Sequence, residues 1–209
     1  MLSAAHLECI RGERALFSGL SFELRGGELL RIAGGNGSGK TSLLRILCGL
    51  LLPSRGEVHW QGDDIHQLRE EYSRQLVYFG HAPAVKDDLS ALENLSFACR
   101  VAGNSADQHA IGRALERFGL GDKKHEPVRR LSQGQRRRAA LARLAVSQSV
   151  PLWLLDEPLA ALDAAAAKLT EDLIAAQVAR GGMVIYTTHQ EAHIEAAETR
   201  VVDLDKAAA

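Results

Sequence analysis

The chain has 209 residues, of which 24% are charged and 46% hydrophobic, with a formal net charge of -1. That size suits one domain whose core needs neither disulfides nor metal, and the balanced charge gives no electrostatic reason to expect nucleic acid or an anionic membrane as partner. Cys9, Cys48 and Cys99 are odd in number and far apart, which argues against a disulfide framework or zinc site and suits a reducing cytosol. The start, Met1-Leu2-Ser3-Ala4-Ala5-His6, lacks a basic head followed by an apolar run, so no signal peptide is expected. The longest apolar runs, such as 150–155, are too short to span a bilayer. A role in transport would therefore put the pore on another chain.

Segments 6–11 and 20–24 read as short strands separated by Ser and Gly, with Gly26-Gly27 as a tight turn and 29–33 as a third strand. Residues 41–47 have the leucine spacing of a buried helix, with Gly49 as its C-terminal cap, and 57–60 reads as another strand. Ser90-Ala91-Leu92-Glu93 has the form of a capping box and opens a helical stretch that runs to about 145, broken at Gly103-Asn104 and 119–121. From there the pattern returns to strand 150–155, an alanine-rich helix 161–180 ended by Gly181-Gly182, strand 183–187 and a last strand 201–204. The alternation predicts an α/β fold with a mostly parallel sheet covered on both faces.

Gly34-Gly35-Asn36-Gly37-Ser38-Gly39-Lys40-Thr41 fills the phosphate-loop template, with a strand before it and a helix after it. Its glycines let the backbone approach phosphate oxygens, and successive N–H groups with the helix start supply positive potential. Residues Gly34 to Thr41 and the next, Ser42, are thus the expected ATP-binding stretch. Lys40 is expected to reach the β- and γ-phosphates, and the Thr41 hydroxyl to bind Mg²⁺. The apolar run Leu152-Trp153-Leu154-Leu155 resembles a Walker B strand and delivers Asp156 and Glu157 to the carboxyl edge of the sheet, where such folds bind ligands. There Asp156 can hold the magnesium shell and Glu157 can orient or deprotonate the attacking water.

Ser132-Gln133-Gly134-Gln135 opens a helix. It is a capping box, and its free N–H groups and dipole also make an anion site; the two readings are compatible. The run Arg136-Arg137-Arg138 behind it reads as a solvated, partly salt-bridged helix face rather than a nucleic-acid site, since no aromatic residues are interleaved.

With Leu131 before it, this segment resembles the signature of ATP-binding cassette (ABC) proteins, and the resemblance extends over the whole chain. It implies a P-loop ABC ATPase with an antiparallel N-terminal β-subdomain, an α/β core at about 1–82 and 147–209, and an inserted helical subdomain at about 83–146. It also implies a head-to-tail homodimer in which Ser132, Gln133, Gly134 and Gln135 contact the ATP held by the opposite subunit. Pro158 and Ala161-Leu162-Asp163 look like the D-loop, with Asp163 its acidic residue, and His189 looks like the switch histidine. Lys40, Glu157 and His189 become the catalytic set. A small-molecule P-loop kinase would leave the signature unexplained.

Several stretches look like one branch, the ATP-binding subunit of the bacterial cytochrome c maturation, or haem exporter, system. These are Leu7-Glu8-Cys9-Ile10-Arg11, Leu16-Phe17-Ser18-Gly19-Leu20-Ser21-Phe22, Gly56-Glu57-Val58-His59-Trp60-Gln61-Gly62, Gly80-His81 with Leu89-Ser90-Ala91-Leu92-Glu93-Asn94-Leu95, and Thr187-Thr188-His189-Gln190. The resemblance implies a subunit peripheral to the cytoplasmic face of the inner membrane, bound to integral membrane subunits. Its ATP hydrolysis would serve haem export or release of a haem-loaded chaperone, with haem not bound directly by this chain and no nucleic acid as partner. An exporter of another substrate and a soluble, non-transport ABC ATPase remain the alternatives. Two departures from the family pattern matter. His81 stands where a Q-loop glutamine is usual, and no aromatic residue near Ile10-Arg11 offers itself to adenine, which leaves Arg11 or Phe17 to cover the base.

Overall fold

The computed structural model describes residues 1–103, 107–189 and 192–207. Strands β1 (Leu2–Arg11) and β2 (Arg14–Leu24) form an antiparallel hairpin, and β3 (Leu29–Ala33) feeds helix α1 (Lys40–Leu47) through the glycine-rich loop. β4 (Arg55–Trp60) returns to pair with β1, and the two-residue β5 (Asp63–Asp64) pairs with β4, completing an antiparallel sheet in the order β2-β1-β4-β5. Short helices α2 (Ile65–Leu68) and α3 (Glu70–Arg74) lead to β6 (Leu76–Phe79). Helices α4 (Ala91–Val101), α5 (Gln108–Arg117) and α6 (Gln133–Val146) follow, then β7 (Leu152–Leu155), α7 (Ala164–Ala179), β8 (Met183–Thr187) and β9 (Thr199–Asp203). The second sheet runs β6-β7-β8-β3-β9 with every pairing parallel.

Most expected elements are present with shifted ends. β1 and β2 are longer than 6–11 and 20–24, because strand pairing carries through the Ser and Gly positions with irregular register near Leu7 and Cys9. The alanine-rich helix begins at Ala164 rather than 161, since the Asp163 side chain caps it by accepting the Ala166 N–H at 2.8 Å. At the end of α1, Gly49 takes φ 74°, and the bonds Gly49 N–H to Ile46 O and Leu50 N–H to Arg45 O close a Schellman turn. β6 is a strand that the sequence pattern does not predict. Of the break at Gly103-Asn104, Asn104 lies outside the described residues.

The parallel sheet separates two cores, and alternation along its strands decides which side chain enters which. Leu152 and Leu154 face α1 and the antiparallel sheet, packing with Leu43, Leu47, Phe17 and Trp60. Trp153 and Leu155 face the other way, toward Leu95 of α4, Leu115 of α5, Leu141 of α6 and Ile174 of α7. Burial on both faces is why β7 and β8 read as continuous apolar runs. The helices of 83–146 thus share one core with the sheet rather than building their own. Among the described residues, no helix is long and apolar enough to cross a membrane.

Candidate nucleotide site

Parallel pairing brings the carboxyl ends of the second sheet's strands to one edge, and the loops leaving them carry the expected chemistry. β3 delivers the glycine-rich loop, β6 delivers His81, β7 delivers Asp156 and Glu157, and β8 delivers His189. These groups line one open cleft of about 540 Å³ together with Leu16, Asn36, Gly37 and the stretch from Gly39 to Ser42.

The loop is shaped for an anion. Gly39 holds φ 104°, and a Cβ there would come within 3.1 Å of both Leu16 and Phe17, so the backbone turns where no other residue fits. The buried Lys40 ammonium donates to Gly34 O at 2.7 Å and Gly35 O at 2.8 Å, drawing the loop into a ring around its own charge. The Gly35 N–H in turn donates to the Asp205 carboxylate at 2.9 and 3.2 Å, a tie across the fold with no sequence signal at either end.

A chain of hydroxyls joins this loop to the acidic pair. Asp156, only 2% exposed, accepts from the Thr41 hydroxyl through Oδ2 and from the Thr187 hydroxyl through Oδ1, each at 2.8 Å. The Thr187 oxygen accepts the Glu157 N–H at 2.9 Å. Thr187 is therefore the residue that sets the spacing of the two acids, a role that the sequence reading misses. Glu157 sits in the left-handed region at φ 51°, a conformation that costs a non-glycine residue about 1–2 kcal/mol. Its Oε2 accepts the His189 N–H at 3.2 Å. Its Oε1 lies 3.5 Å from His189 Nε2, and among the described residues this buried oxygen accepts no hydrogen bond. The hydroxyl of Thr41 beside the carboxylate of Asp156 is a hard-oxygen pair of the kind that magnesium takes, so the donor set fits that ion.

Other expected residues stand elsewhere. Ser132 and Gln135 form the capping box, with Ser132 Oγ accepting the Gln135 N–H at 3.3 Å and Gln135 Oε1 accepting the Ser132 N–H at 3.0 Å. They and the intervening Gln133 and Gly134 are absent from the cleft's lining, while Gly134 lies near the Ala161 carbonyl of the D-loop segment. The basic run behind them is partly salt-bridged, as expected, but its middle arginine is not solvated. Arg137 is 6% exposed, and Arg136 and Arg138 pair with Asp87 at 3.0 Å and Asp163 at 3.7 Å. Phe17 is wholly buried, packed beneath Gly39, so its ring is not free to cover a base. Arg11 is exposed at the end of β1 and does not line the cleft, whereas the apolar Leu16 does. Gln190 lies outside the described residues.

Residues 17–160 match the family model described as ABC transporter. The chain is 54% identical over 191 residues to the cytochrome c biogenesis ATP-binding export protein CcmA of Nitrosomonas europaea, covering 91% of this chain and 89% of that one. It is 53% identical to the protein of the same name from Aromatoleum aromaticum, over 100% of this chain and 97% of its relative. Among solved structures, a putative ABC transporter ATP-binding protein from Pyrococcus furiosus has TM-score 0.80 at 23% identity, covering 100% of this chain and 99% of that one. A bacterial ABC transporter cassette solved as a dimer has TM-score 0.77 at 25% identity, covering 91% and 88%.

Proposed function

The chain belongs to the ABC transporter family as one of its ATP-hydrolysing export subunits, and from that premise we propose that it powers the cytochrome c maturation haem exporter. The observation that carries the catalytic part is the linkage Thr41–Asp156–Thr187–Glu157, which sets an acid with a free buried oxygen against the end of the phosphate loop. Lys40 and the loop N–H groups hold the β- and γ-phosphates. Glu157 Oε1 takes the proton of a water whose oxygen attacks the γ-phosphorus. The bond from that phosphorus to the β,γ-bridging oxygen breaks, and the electron pair leaves on ADP beside Lys40. Magnesium, when bound by Thr41 and Asp156, neutralises charge on the phosphates. His189, with Nε2 beside Oε1, orients the carboxylate and the γ-phosphate.

The working unit is a head-to-tail homodimer. Within one chain Ser132 to Gln135 lie away from the cleft, and a second copy brings them to its ATP, with Asp163 and the D-loop between. Residues 83–146 act as the helical unit and the rest as the nucleotide core. Integral membrane subunits dock on the helical side at the cytoplasmic face of the inner membrane. Support for this comes from Phe97 and Val101, exposed apolar side chains one turn apart on α4, with Lys86 of the segment after His81 lying over the Phe97 ring. His81 then relays nucleotide state to those subunits, and haem itself stays on them. In the isolated complex, Glu157→Gln should lower hydrolysis at least about 100-fold and stop ATP-dependent release of the haem-loaded chaperone. His81→Ala should spare ATP binding and uncouple release. Release that continues with Glu157→Gln would sink the mechanism, and unchanged coupling in His81→Ala would remove the relay.

A further inference from the structure

We infer that Arg137 is a positioning residue for hydrolysis, one that ties the signature helix to the Glu157 and His81 backbones so that the three move as a unit. The inference rests on Glu157 and His81 acting as proposed above. Arg137 lies on α6, five residues after the capping Ser132, and its side chain turns inward. One guanidinium nitrogen, Nη2, donates to the carbonyl of Glu157, and the other, Nη1, donates to the carbonyl of His81 at 3.2 Å. The group lies over the Phe79 ring, 5.2 Å from its centroid, at the end of the strand that carries His81.

This is an unusual use of a buried cation. Burial pushes the guanidinium below its ordinary pKa, while the charges of Glu157 and Asp156 pull it back. An apolar side chain would fill the same space without the desolvation cost, and Arg137 Nε is left buried without a partner. What the guanidinium alone supplies is a rigid planar fork, able to hold two backbone carbonyls at a fixed separation. One of those carbonyls belongs to a residue in the strained left-handed region, whose peptide orientation sets where its carboxylate points. When Ser132 to Gln135 engage the partner's ATP, any shift of α6 is felt at the Glu157 peptide through one side chain. Arg137 therefore makes the aim of the base depend on the seating of the signature. It touches no reacting atom.

The test uses the full chain with Arg137→Met, Arg137→Gln and Arg137→Lys, beside Glu157→Gln, reading kcat and KM for MgATP together with the melting midpoint. We expect Arg137→Met to lower kcat about 10- to 100-fold with KM within about threefold. Arg137→Gln, which still donates from an amide, should recover part of the rate. Arg137→Lys, charged but without the planar fork, should resemble the Met variant. If Arg137→Met does not fold, the Gln and Lys variants decide by the same split. Wild-type kcat in the variants overturns the inference, as does a change confined to KM and melting. Both leave the role of Glu157 standing as long as Glu157→Gln is inactive. An active Glu157→Gln instead removes the reading on which the inference depends.

Discussion

The two ends of this molecule proposed to bind anions are built on opposite plans. The phosphate loop is closed on itself: Lys40 bonds the loop's own carbonyls, Asp205 holds Gly35, and Thr41 reaches Asp156, all within one chain. At the signature end Ser132 to Gln135 have their capping box and, among the described residues, do not line this chain's cleft, although the helix behind them reaches the cleft's backbone through Arg137. A site whose buried lysine already has partners can wait for nucleotide. A helix end whose anion has to come from elsewhere is a contact surface. The contrast suits the proposed shared site at a two-fold interface, in which each copy would supply one finished half and one open half.

The strongest way to break that comparison is to damage the halves separately. Lys40→Ala and Gly134→Asp chains should each lose hydrolysis by about 100-fold or more when assayed alone. Mixed in equal amounts, they should recover about a quarter of the parent rate, since half of randomly formed dimers are mixed and each has one intact site. No recovery in the mixture would mean that the signature serves its own chain. A smaller effect sharpens the closed half. Thr187→Val removes the hydroxyl that binds both Asp156 and Glu157, so kcat should fall about 10-fold, with a stability loss of about 1–3 kcal/mol from the unpaired buried groups. Urea unfolding alongside ATPase assays separates the two losses. The smallest lies away from both halves. Ser90→Ala opens the capping box of α4, in which Ser90 Oγ accepts the Glu93 N–H at 3.2 Å, and should cost about 1 kcal/mol in urea unfolding while leaving kcat alone.

Much of the fold and the closed half can be read from local pattern, and the reasons are specific. Leu29–Ala33 and Met183–Thr187 have the bounds expected of them, because glycine pairs precede both runs and central parallel strands are apolar throughout. The phosphate loop and both capping boxes depend only on neighbours in sequence. β6 is different: Leu76–Phe79 is a four-residue apolar run straight after a helical turn, too short for periodicity to separate strand from helix. Phe17 lies on a strand whose inward positions depend on register, and β1 and β2 pair irregularly between Leu7 and Cys9. Arg137 is invisible for a deeper reason. Among three consecutive arginines, charge predicts exposure, and only the crossing of α6 over the ends of β6 and β7 selects the middle one for burial. Asp205 and Thr187 are ordinary residues until the sheet order brings them to Gly35 and Asp156.

That sheet order has a consequence for how the molecule is made. β3, which launches the nucleotide loop, is hydrogen-bonded on one side to β8 and on the other to β9, with Leu29 opposite both Val184 and Thr199. On a ribosome the loop therefore emerges early, yet its strand stays without either sheet neighbour until nearly all of the chain has been synthesised. At ordinary elongation rates of about 5–20 residues per second, the wait is on the order of ten seconds. Through that interval Leu30 and Ile32 have the N-terminal sheet and α1 to pack against, while Leu29 faces the core that the later helices build. Nascent-chain stalling before and after β8 would show when the loop first gains nucleotide affinity.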